Sequence, residues 1–136
     1  MATGNSQTIL IAEDEVSVRS LIARILESRD YLVLQARHGG EALTLGEGHP
    51  GPIDLLITDI KMPVMDGKNL AERLHSRRPG LKVLYISGFP DGKYPGESNG
   101  DGGDFLPKPF LPDVLLSRVS SLLGAGSASP DGVQSA

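Results

Sequence analysis

The stretch IDLLITDIKMPVMDG, residues 53–67, is the most informative part of this 136-residue chain. Its first six residues are apolar nearly throughout, a pattern typical of strands in parallel sheets that are covered on both faces. Asp59 follows these six residues directly. Pro63 and the Asp66-Gly67 pair then indicate a loop. The stretch therefore predicts a buried strand that ends in an acid and continues into a loop.

Short apolar strands alternate with amphipathic helices on both sides of this stretch. Besides the strand at 53–58, the pattern predicts strands at 8–12, 31–36, 83–87 and 104–106, and helices at about 15–28, 40–45, 67–76 and 112–123. Asp14 lies where a helix N-cap is expected. Because this alternation implies right-handed crossovers, we expect an α/β fold: a doubly wound, flavodoxin-like sheet of five parallel strands in the order 2-1-3-4-5.

The segment 88–104, GFPDGKYPGESNGDGGD, separates the last two predicted strands and contains two prolines and six glycines. An interior glycine costs a helix about 1 kcal/mol relative to alanine, and an interior proline about 3 kcal/mol. No apolar stripe offsets these costs. We therefore predict that helix 4, the helix expected between strands 4 and 5, is short or missing.

The length of the chain suits one domain. We predict a flexible N-terminus over residues 1–7, a globular domain over 8–123, and a disordered tail or linker over 124–136, where the residues are small and polar. The first ten residues lack the basic and apolar regions of a signal peptide. The chain has no cysteine, which excludes disulfides and thiolate metal sites. We expect a cytoplasmic protein.

The charge and hydropathy of the chain indicate whether this domain binds nucleic acid or membrane. A net charge of −4 argues against general affinity for nucleic acid, because phosphate backbones attract basic surfaces. The one basic cluster, Arg73, His75, Arg77 and Arg78, is interpreted as a solvated helix end. No apolar run approaches the roughly 20 residues that span a bilayer. We therefore expect this domain to contact neither nucleic acid nor membrane.

Polar residues stand where the predicted strands end. In an open α/β sheet the ligand crevice lies beyond the carboxyl ends of the strands, at the point where the strand order reverses. The residues at those ends are Glu13 and Asp14 after strand 1, Asp59 after strand 3, Ser87 at strand 4 and Lys108 after strand 5. Strands 1 and 3 are neighbours in the predicted order, so their acids should converge.

This set of side chains suits phosphoryl transfer. Three converging carboxylates repel one another, and a hard divalent cation such as Mg²⁺ relieves the repulsion because it prefers oxygen ligands. Lys108 adds a mobile positive charge suited to phosphate, and Ser87 adds a hydroxyl donor. A carboxylate nucleophile with a metal, a lysine and a hydroxyl can position and neutralise a phosphoryl group.

Four sequence pieces resemble the receiver domain of two-component response regulators. They are ILIAEDE (9–15), LLITDIKMPVMDG (55–67), VLYISGF (83–89) and FLPKPF (105–110), in the family's order and near its spacing. Each piece alone is weak, and the four together are specific. The resemblance covers roughly residues 8–123. It implies a protein that is not an enzyme in the ordinary sense but phosphorylates and dephosphorylates itself.

The resemblance implies a role for each acid. Asp59 matches the phosphoacceptor, and Asp14 and Asp59 match the direct ligands of Mg²⁺ or Mn²⁺. Glu13 matches a residue that acts on the metal through water, and many relatives have an aspartate in its place. The backbone carbonyl of Lys61 matches the third protein ligand.

The resemblance also implies roles on strands 4 and 5. Ser87 matches the switch hydroxyl that turns toward the phosphoryl group, and Phe105 matches the aromatic position that swings inward with it. Lys108 matches the lysine that pairs with the phosphoryl oxygens. The peptide bond from Lys108 to Pro109 is typically cis in the family, and X-Pro bonds tolerate that geometry best.

The partner implied is a sensor histidine kinase or a phosphotransfer domain, and we expect a monomer. The SGF…FLPKPF stretch and the short tail are similar to receivers at the carboxyl ends of hybrid histidine kinases, so both an excised domain and a stand-alone regulator stay open.

Other interpretations also stay open. An aspartyl-nucleophile phosphatase, a flavodoxin-like cofactor binder and a receiver-like interaction module that is never phosphorylated share parts of this pattern. Each site residue also has a simpler interpretation. These are Asp14 as a plain cap, Asp59 as a turn former, Ser87 as a strand exit, Lys108 as a solvated lysine and Phe105 as a static core ring.

Overall fold

Five strands and four helices alternate along the chain in the computed structural model, which describes residues 7–62, 64–87 and 103–127. They are β1 Thr8–Ala12, α1 Val16–Glu27, β2 Leu32–Ala36, α2 Gly39–Gly48, β3 Leu55–Asp59, α3 Gly67–Arg77, β4 Lys82–Ser87, β5 Gly103–Pro107 and α4 Pro112–Ser127. All strands pair in parallel, in the order β2-β1-β3-β4-β5. The predicted fold class and strand order are confirmed.

Two hydrophobic cores lie on opposite faces of the sheet. Alternate residues of each strand point to opposite faces, so Ile9 and Ile11 pack with α1 and α4, whereas Leu10 and Ala12 pack with α2 and α3. The strands β1 and β3 are buried at every position. This double covering explains why the central strand at 53–58 is apolar nearly throughout.

The start of α1 differs from the prediction. Glu15, not Asp14, is the N-cap, and no side chain caps the helix by a hydrogen bond. The prediction for Asp14 was wrong because the β ladder continues past Ala12: the Glu13 amide donates to the Ala36 carbonyl at 3.1 Å. The helix therefore begins one residue later, and Asp14 stays exposed beside the sheet edge.

The helix α4 extends four residues beyond its predicted end at Leu123, so residues 124–127 of the predicted tail are helical. Elongating an existing helix fixes one residue for each new bond, so a glycine that costs about 1 kcal/mol does not have to end it. The prediction of a short or missing helix between β4 and β5 concerns the segment 88–104, of which residues 88–102 lie outside the described residues and residues 103–104 belong to β5. The fourth described helix is α4, which follows β5.

Arg78 was wrongly interpreted as part of a solvated helix end. Its guanidinium lies at the C-terminal cap of α3 and donates to three backbone carbonyls, those of Gly46, His49 and Gly51, at 2.8–3.0 Å. These carbonyls belong to the end of α2 and the loop after it, which Arg78 ties to α3. Composition alone does not distinguish an arginine that serves loop carbonyls from one in water.

In the described part of the chain, no helix has the length and apolar character needed to cross a membrane.

Candidate functional site

The carboxyl ends of β1, β3, β4 and β5 meet at one edge of the sheet. The register places Ala12 beside Thr58, so Glu13 and Asp59 follow on neighbouring strands. Asp59 is paired with Ile86, and Ser87 with Pro107, so Lys108 follows at the same edge. The strand order therefore gathers the predicted acids, hydroxyl and lysine from four separate parts of the sequence.

Three carboxylates face one another at this edge. Glu13, Asp14 and Asp59 each place a carboxylate oxygen within 4.8 Å of the others. Their burial differs, since Glu13 is 0% exposed and Asp59 9%, whereas Asp14 is exposed. The cluster thus has a buried floor and an open side toward solvent.

Lys108 joins two of these acids. Its Nζ donates to Oδ2 of Asp59 at 3.0 Å and lies 3.2 Å from Oε1 of Glu13. The Lys108 backbone amide donates to the carbonyl of Ser87 at 2.8 Å, and the peptide bond from Lys108 to Pro109 is cis. The lysine is therefore held at the site by its backbone as well as by its charge.

The electrostatics of the pair follow from burial and charge. Burial raises the pKa of Glu13 above its ordinary value, and the hydrogen bond from the Glu15 amide and the charge of Lys108 offset only part of that increase. Burial acts to lower the pKa of Lys108, but the hydrogen bond and charge of Asp59, together with the charge of Glu13, outweigh it and raise the pKa. The ammonium is therefore kept charged beside the acids.

The backbone around Asp59 is closely fitted. The Lys61 amide donates to Oδ1 of Asp59 at 3.2 Å, and the Gly67 amide donates to the Ile60 carbonyl at 2.8 Å. A Cβ on Gly67 would lie 2.3 Å from the Asp59 carbonyl oxygen, a distance at which the backbone would have to move. Only glycine therefore allows the first turn of α3 to pack directly on the residue that carries the central carboxylate.

Ser87 lies on β4, the strand beside Asp59, and Phe105 lies on β5, the strand after it in the sheet. Ser87 is 3% exposed at the end of β4. Phe105, half-buried in β5, stacks on Tyr85 of β4 with ring centroids 5.2 Å apart and an interplanar angle of 27°. The ammonium of Lys68, in the first turn of α3, lies 4.9 Å from the Tyr85 centroid and 5.5 Å from the Phe105 centroid.

The donor set fits a hard divalent cation. Oε1 of Glu13 is fully buried and accepts no hydrogen bond among the described residues, although it is in ion-pair range of Lys108. An all-oxygen cluster with one exposed carboxylate suits Mg²⁺, which retains several waters and binds one or two protein carboxylates. The candidate ligands are therefore Asp14 and Asp59, with Glu13 close enough to act through water.

Several supporting residues were missed by the sequence reasoning. Arg19 donates to the Glu13 carbonyl at 2.8 Å, and the hydroxyl of Thr58 donates to the Asp59 carbonyl at 2.9 Å. Neither position has a local signal that indicates this contact. Lys68 does have a local signal. A cation in the first turn of a helix is disfavoured by the helix dipole, which indicates that its side chain is stabilised by another contact.

The sequence and structure match one family of known proteins. Residues 9–120 match the response regulator receiver domain family. This chain belongs to that family. A receiver domain is the module of two-component signalling that the four sequence pieces predicted, so the resemblance is confirmed.

Several relatives support the assignment. The receiver domain is 37% identical over 119 residues to the sensor kinase CckA of Brucella abortus (strain 2308), and 34% identical over 121 residues to the response regulator receiver protein CpdR of the same organism. These alignments cover 87% and 85% of this chain. The crystal structure of the receiver domain from the hybrid histidine kinase CckA superposes with a TM-score of 0.73 at 40% identity, covering 85% of this chain and 98% of that one.

The two curated relatives differ greatly in length. The receiver domain spans 13% of the sensor kinase and 95% of CpdR. It is therefore similar to a small part of one protein and to nearly all of the other.

Proposed function

We propose that this receiver domain accepts a phosphoryl group on Asp59 from a phosphohistidine of a partner protein. The observation that carries the proposal is the contact of Lys108 with both Asp59 and Glu13, at 3.0 and 3.2 Å, beside the exposed carboxylate of Asp14. A carboxylate at a charge-compensated, partly open strand end is positioned to act as a nucleophile. A solvated surface aspartate would lack the buried acid and the lysine.

The residues divide the work of the reaction. An Asp59 oxygen attacks phosphorus, the P–N bond of the phosphohistidine breaks, and the leaving imidazole takes a proton from water. Lys108 pairs with the phosphoryl oxygens, and the Ser87 hydroxyl donates to them after turning toward the site. Phe105 follows that movement. Water later attacks the acyl phosphate, which returns Asp59 and inorganic phosphate.

The divalent cation is part of the proposal. Asp14 and Asp59 would bind it directly, Glu13 through water, and the Lys61 carbonyl as a third protein ligand. When bound, Mg²⁺ or Mn²⁺ supplies charge that neutralises the phosphoryl oxygens. The opposite charges of Glu13 and Lys108 then compensate each other at the buried floor of the site.

The partner is a sensor histidine kinase or a phosphotransfer domain, and an apolar groove beside the site supports its docking. The groove has a volume of about 330 Å³ and is lined by Val18, Leu21, Lys108, Pro109 and Phe110. Leu21 is 45% exposed and Leu111, next to the groove, 68%. Because Lys108 belongs to both groove and site, a protein that covers the groove lies beside Asp59.

A surface variant separates docking from chemistry. Leu21→Glu should lower transfer from a phosphohistidine protein relative to labelling by a small phosphodonor, because only the protein needs the groove. An equal loss with both donors, or no loss with either, would remove the groove from the proposal.

We place this exchange in the cytoplasm, where ATP supplies the histidine kinase, and we expect a monomer. A stand-alone regulator and a part of a hybrid kinase both agree with the relatives. The length of the full open reading frame decides between them.

The direct test is incubation with Mg²⁺ and a small acyl phosphate, followed by intact mass measurement. The wild-type protein should gain the mass of one phosphoryl group, and chelation of the metal should prevent the gain. Asp59→Asn should gain none, whereas Asp54→Asn should be labelled normally. Unlabelled wild-type protein, or full labelling of Asp59→Asn, would refute the proposal, and sustained turnover of a chromogenic phosphate ester would favour a phosphatase instead.

A further inference from the structure

We propose that Lys68 is a positioning residue, which holds the ring of Phe105 in its stacked orientation and so restrains the response of β4 and β5 to phosphorylation of Asp59. The inference rests on the proposed function, but its geometric basis stands apart from the acids. Lys68 lies in neither the carboxylate cluster nor the set of residues predicted from the sequence.

The Phe105 ring is held by contacts on its face. It stacks on Tyr85, which is 0% exposed and therefore forms a fixed platform. The Lys68 ammonium lies within 5.5 Å of both ring centroids, inside the range of about 6 Å in which a cation is attracted to an aromatic face. Any rotation of Phe105 away from Tyr85 must weaken one of these contacts.

The backbone of Phe105 is held as well. Arg118 of α4 donates to the Phe105 carbonyl and forms an ion pair of 3.2 Å with Asp104. The Phe105 amide donates to the same Asp104 carboxylate at 2.9 Å. With the backbone held, movement of this residue is confined to the side chain, where Lys68 acts.

Lys68 is also linked to the phosphoacceptor through its neighbour. Gly67 packs on the Asp59 carbonyl so closely that no Cβ fits, and its amide is bonded to the Ile60 carbonyl. A shift of the Asp59 backbone must therefore move the first turn of α3, and Lys68 with it. The chain of contacts runs from Asp59 through Gly67 and Lys68 to the aromatic pair.

The helix dipole works against a lysine at this position. The first turn of α3 contains no acid, and its N-terminal end carries a partial positive charge that disfavours a cation there. The faces of Tyr85 and Phe105 offer negative potential in compensation. A residue that opposes the local preference of its helix is one whose placement depends on a contact elsewhere.

The test measures the ring and the site separately. Selective ring labelling for NMR gives few signals, because the chain has three phenylalanines. In the protein without phosphodonor, Lys68→Met should shift the Phe105 ring signals and increase ring mobility, whereas Lys68→Arg should resemble wild type. Arg73→Met, which removes a charge one and a half turns further along α3, should leave the ring signals in place.

The second readout is binding of beryllofluoride, a phosphoryl mimic, in the presence of Mg²⁺. If Lys68 stabilises the unphosphorylated orientation, Lys68→Met should tighten apparent binding about two- to fivefold, the size of a partly exposed cation–π contact. In a Phe105→Leu background this gain should shrink or vanish. Weaker binding to the same extent in both backgrounds would instead assign Lys68 a purely electrostatic role and overturn the proposal.

Unchanged Phe105 signals in Lys68→Met would also overturn it, whether or not the protein is phosphorylated. A wild-type protein that takes up no beryllofluoride would contradict the proposed function, and the ring signals would then decide the role of Lys68 alone.

Discussion

Lys108 donates a hydrogen bond from Nζ to Oδ2 of Asp59 at 3.0 Å, although 49 residues separate the two in the sequence. The same ammonium lies 3.2 Å from Glu13, so one cation at the end of β5 compensates acids from β3 and β1. The side chains alone are 20% exposed for Lys108, 13% for Asp59 and 1% for Glu13, which makes these charges stronger partners than surface ions. The site and the stability of the sheet edge are therefore linked.

Removing the lysine charge should lower both phosphorylation and stability. Without metal, Lys108→Met leaves buried carboxylates uncompensated, and we expect the free energy of unfolding at neutral pH to fall by about 1–3 kcal/mol. Added Mg²⁺ should restore part of this loss. Urea unfolding with and without Mg²⁺ measures the loss of stability and its recovery, and intact mass after incubation with a phosphodonor measures phosphorylation. Lys82→Met, at the opposite end of β4, is the matched control. Equal stability of Lys108→Met and wild type without metal would show that the acids need no compensation.

The affinity for Mg²⁺ should depend on pH through Glu13. Burial raises its pKa from the ordinary 4.5, so on acidification this carboxyl takes up a proton at a higher pH than a free glutamate. The metal competes with that proton, and affinity should therefore fall with decreasing pH already above 4.5. Calorimetric titration of Mg²⁺ at several pH values measures the profile.

The controls for that profile are two acid variants. Glu13→Gln should bind Mg²⁺ more weakly at neutral pH with a flatter profile, whereas Asp14→Asn should bind weakly and keep the dependence. In the metal-free protein, stability changes with pH in the opposite direction to Mg²⁺ affinity. The free energy of unfolding falls as pH rises from the unfolded to the folded pKa of Glu13, because the folded pKa of this carboxyl is raised. A profile identical in wild type and Glu13→Gln would remove Glu13 from the site.

Val64 should be a position where glycine stabilises. It is fully exposed in the loop after Asp59 and has a φ of 73°, which costs a residue with a Cβ about 1–2 kcal/mol. Glycine relieves that strain but adds freedom to the unfolded chain, so Val64→Gly should gain about 1 kcal/mol net. Thermal unfolding checks this. Val16→Gly, at an exposed helical position, should lose stability, and a loss at both positions would refute the strain.

Arg78 should matter far more to stability than the adjacent Arg77. Arg78 serves three carbonyls, whereas Arg77 forms a 3.7 Å surface pair with Glu47, and its side chain is 64% exposed. Arg78→Leu should lower the free energy of unfolding by about 2–4 kcal/mol, since it leaves three backbone carbonyls without the hydrogen bonds from a charged donor. Arg77→Leu should change it by less than about 0.5 kcal/mol. Comparable losses in both variants would contradict the distinction.

The strand order and the meeting of Glu13, Asp14, Asp59 and Lys108 were predictable from the sequence. Alternating buried strands and helices allow few topologies, and the carboxyl ends of parallel strands share one edge. A residue directly after a strand therefore has its position fixed by the pattern. Lys108 could be placed beside Asp59 for this reason, despite the long separation in sequence.

Contacts that depend on side-chain direction were not predictable. Asp14 was expected to cap α1, but the extra ladder bond of Glu13 moved the helix start by one residue. Arg77 and Arg78 are the same residue type and adjacent in the sequence, so only the fold shows which one reaches the α2 carbonyls. The position of Lys68 over the aromatic pair likewise depends on Gly67, whose close approach to Asp59 has no signal beyond a turn dipeptide.

Trapping of the acyl phosphate tests the central claim most directly. Borohydride reduces such a mixed anhydride to an alcohol, so protein incubated with Mg²⁺ and a phosphodonor should yield homoserine at the phosphorylated position. Trypsin, which cleaves after Arg19, Arg37 and Lys61, yields the peptide 38–61 with Asp54 and Asp59 and the peptide 1–19 with Asp14 for mass spectrometry. We expect homoserine at position 59 alone. Homoserine at Asp14 or Asp54, or none in a protein that binds Mg²⁺, would contradict phosphorylation of Asp59.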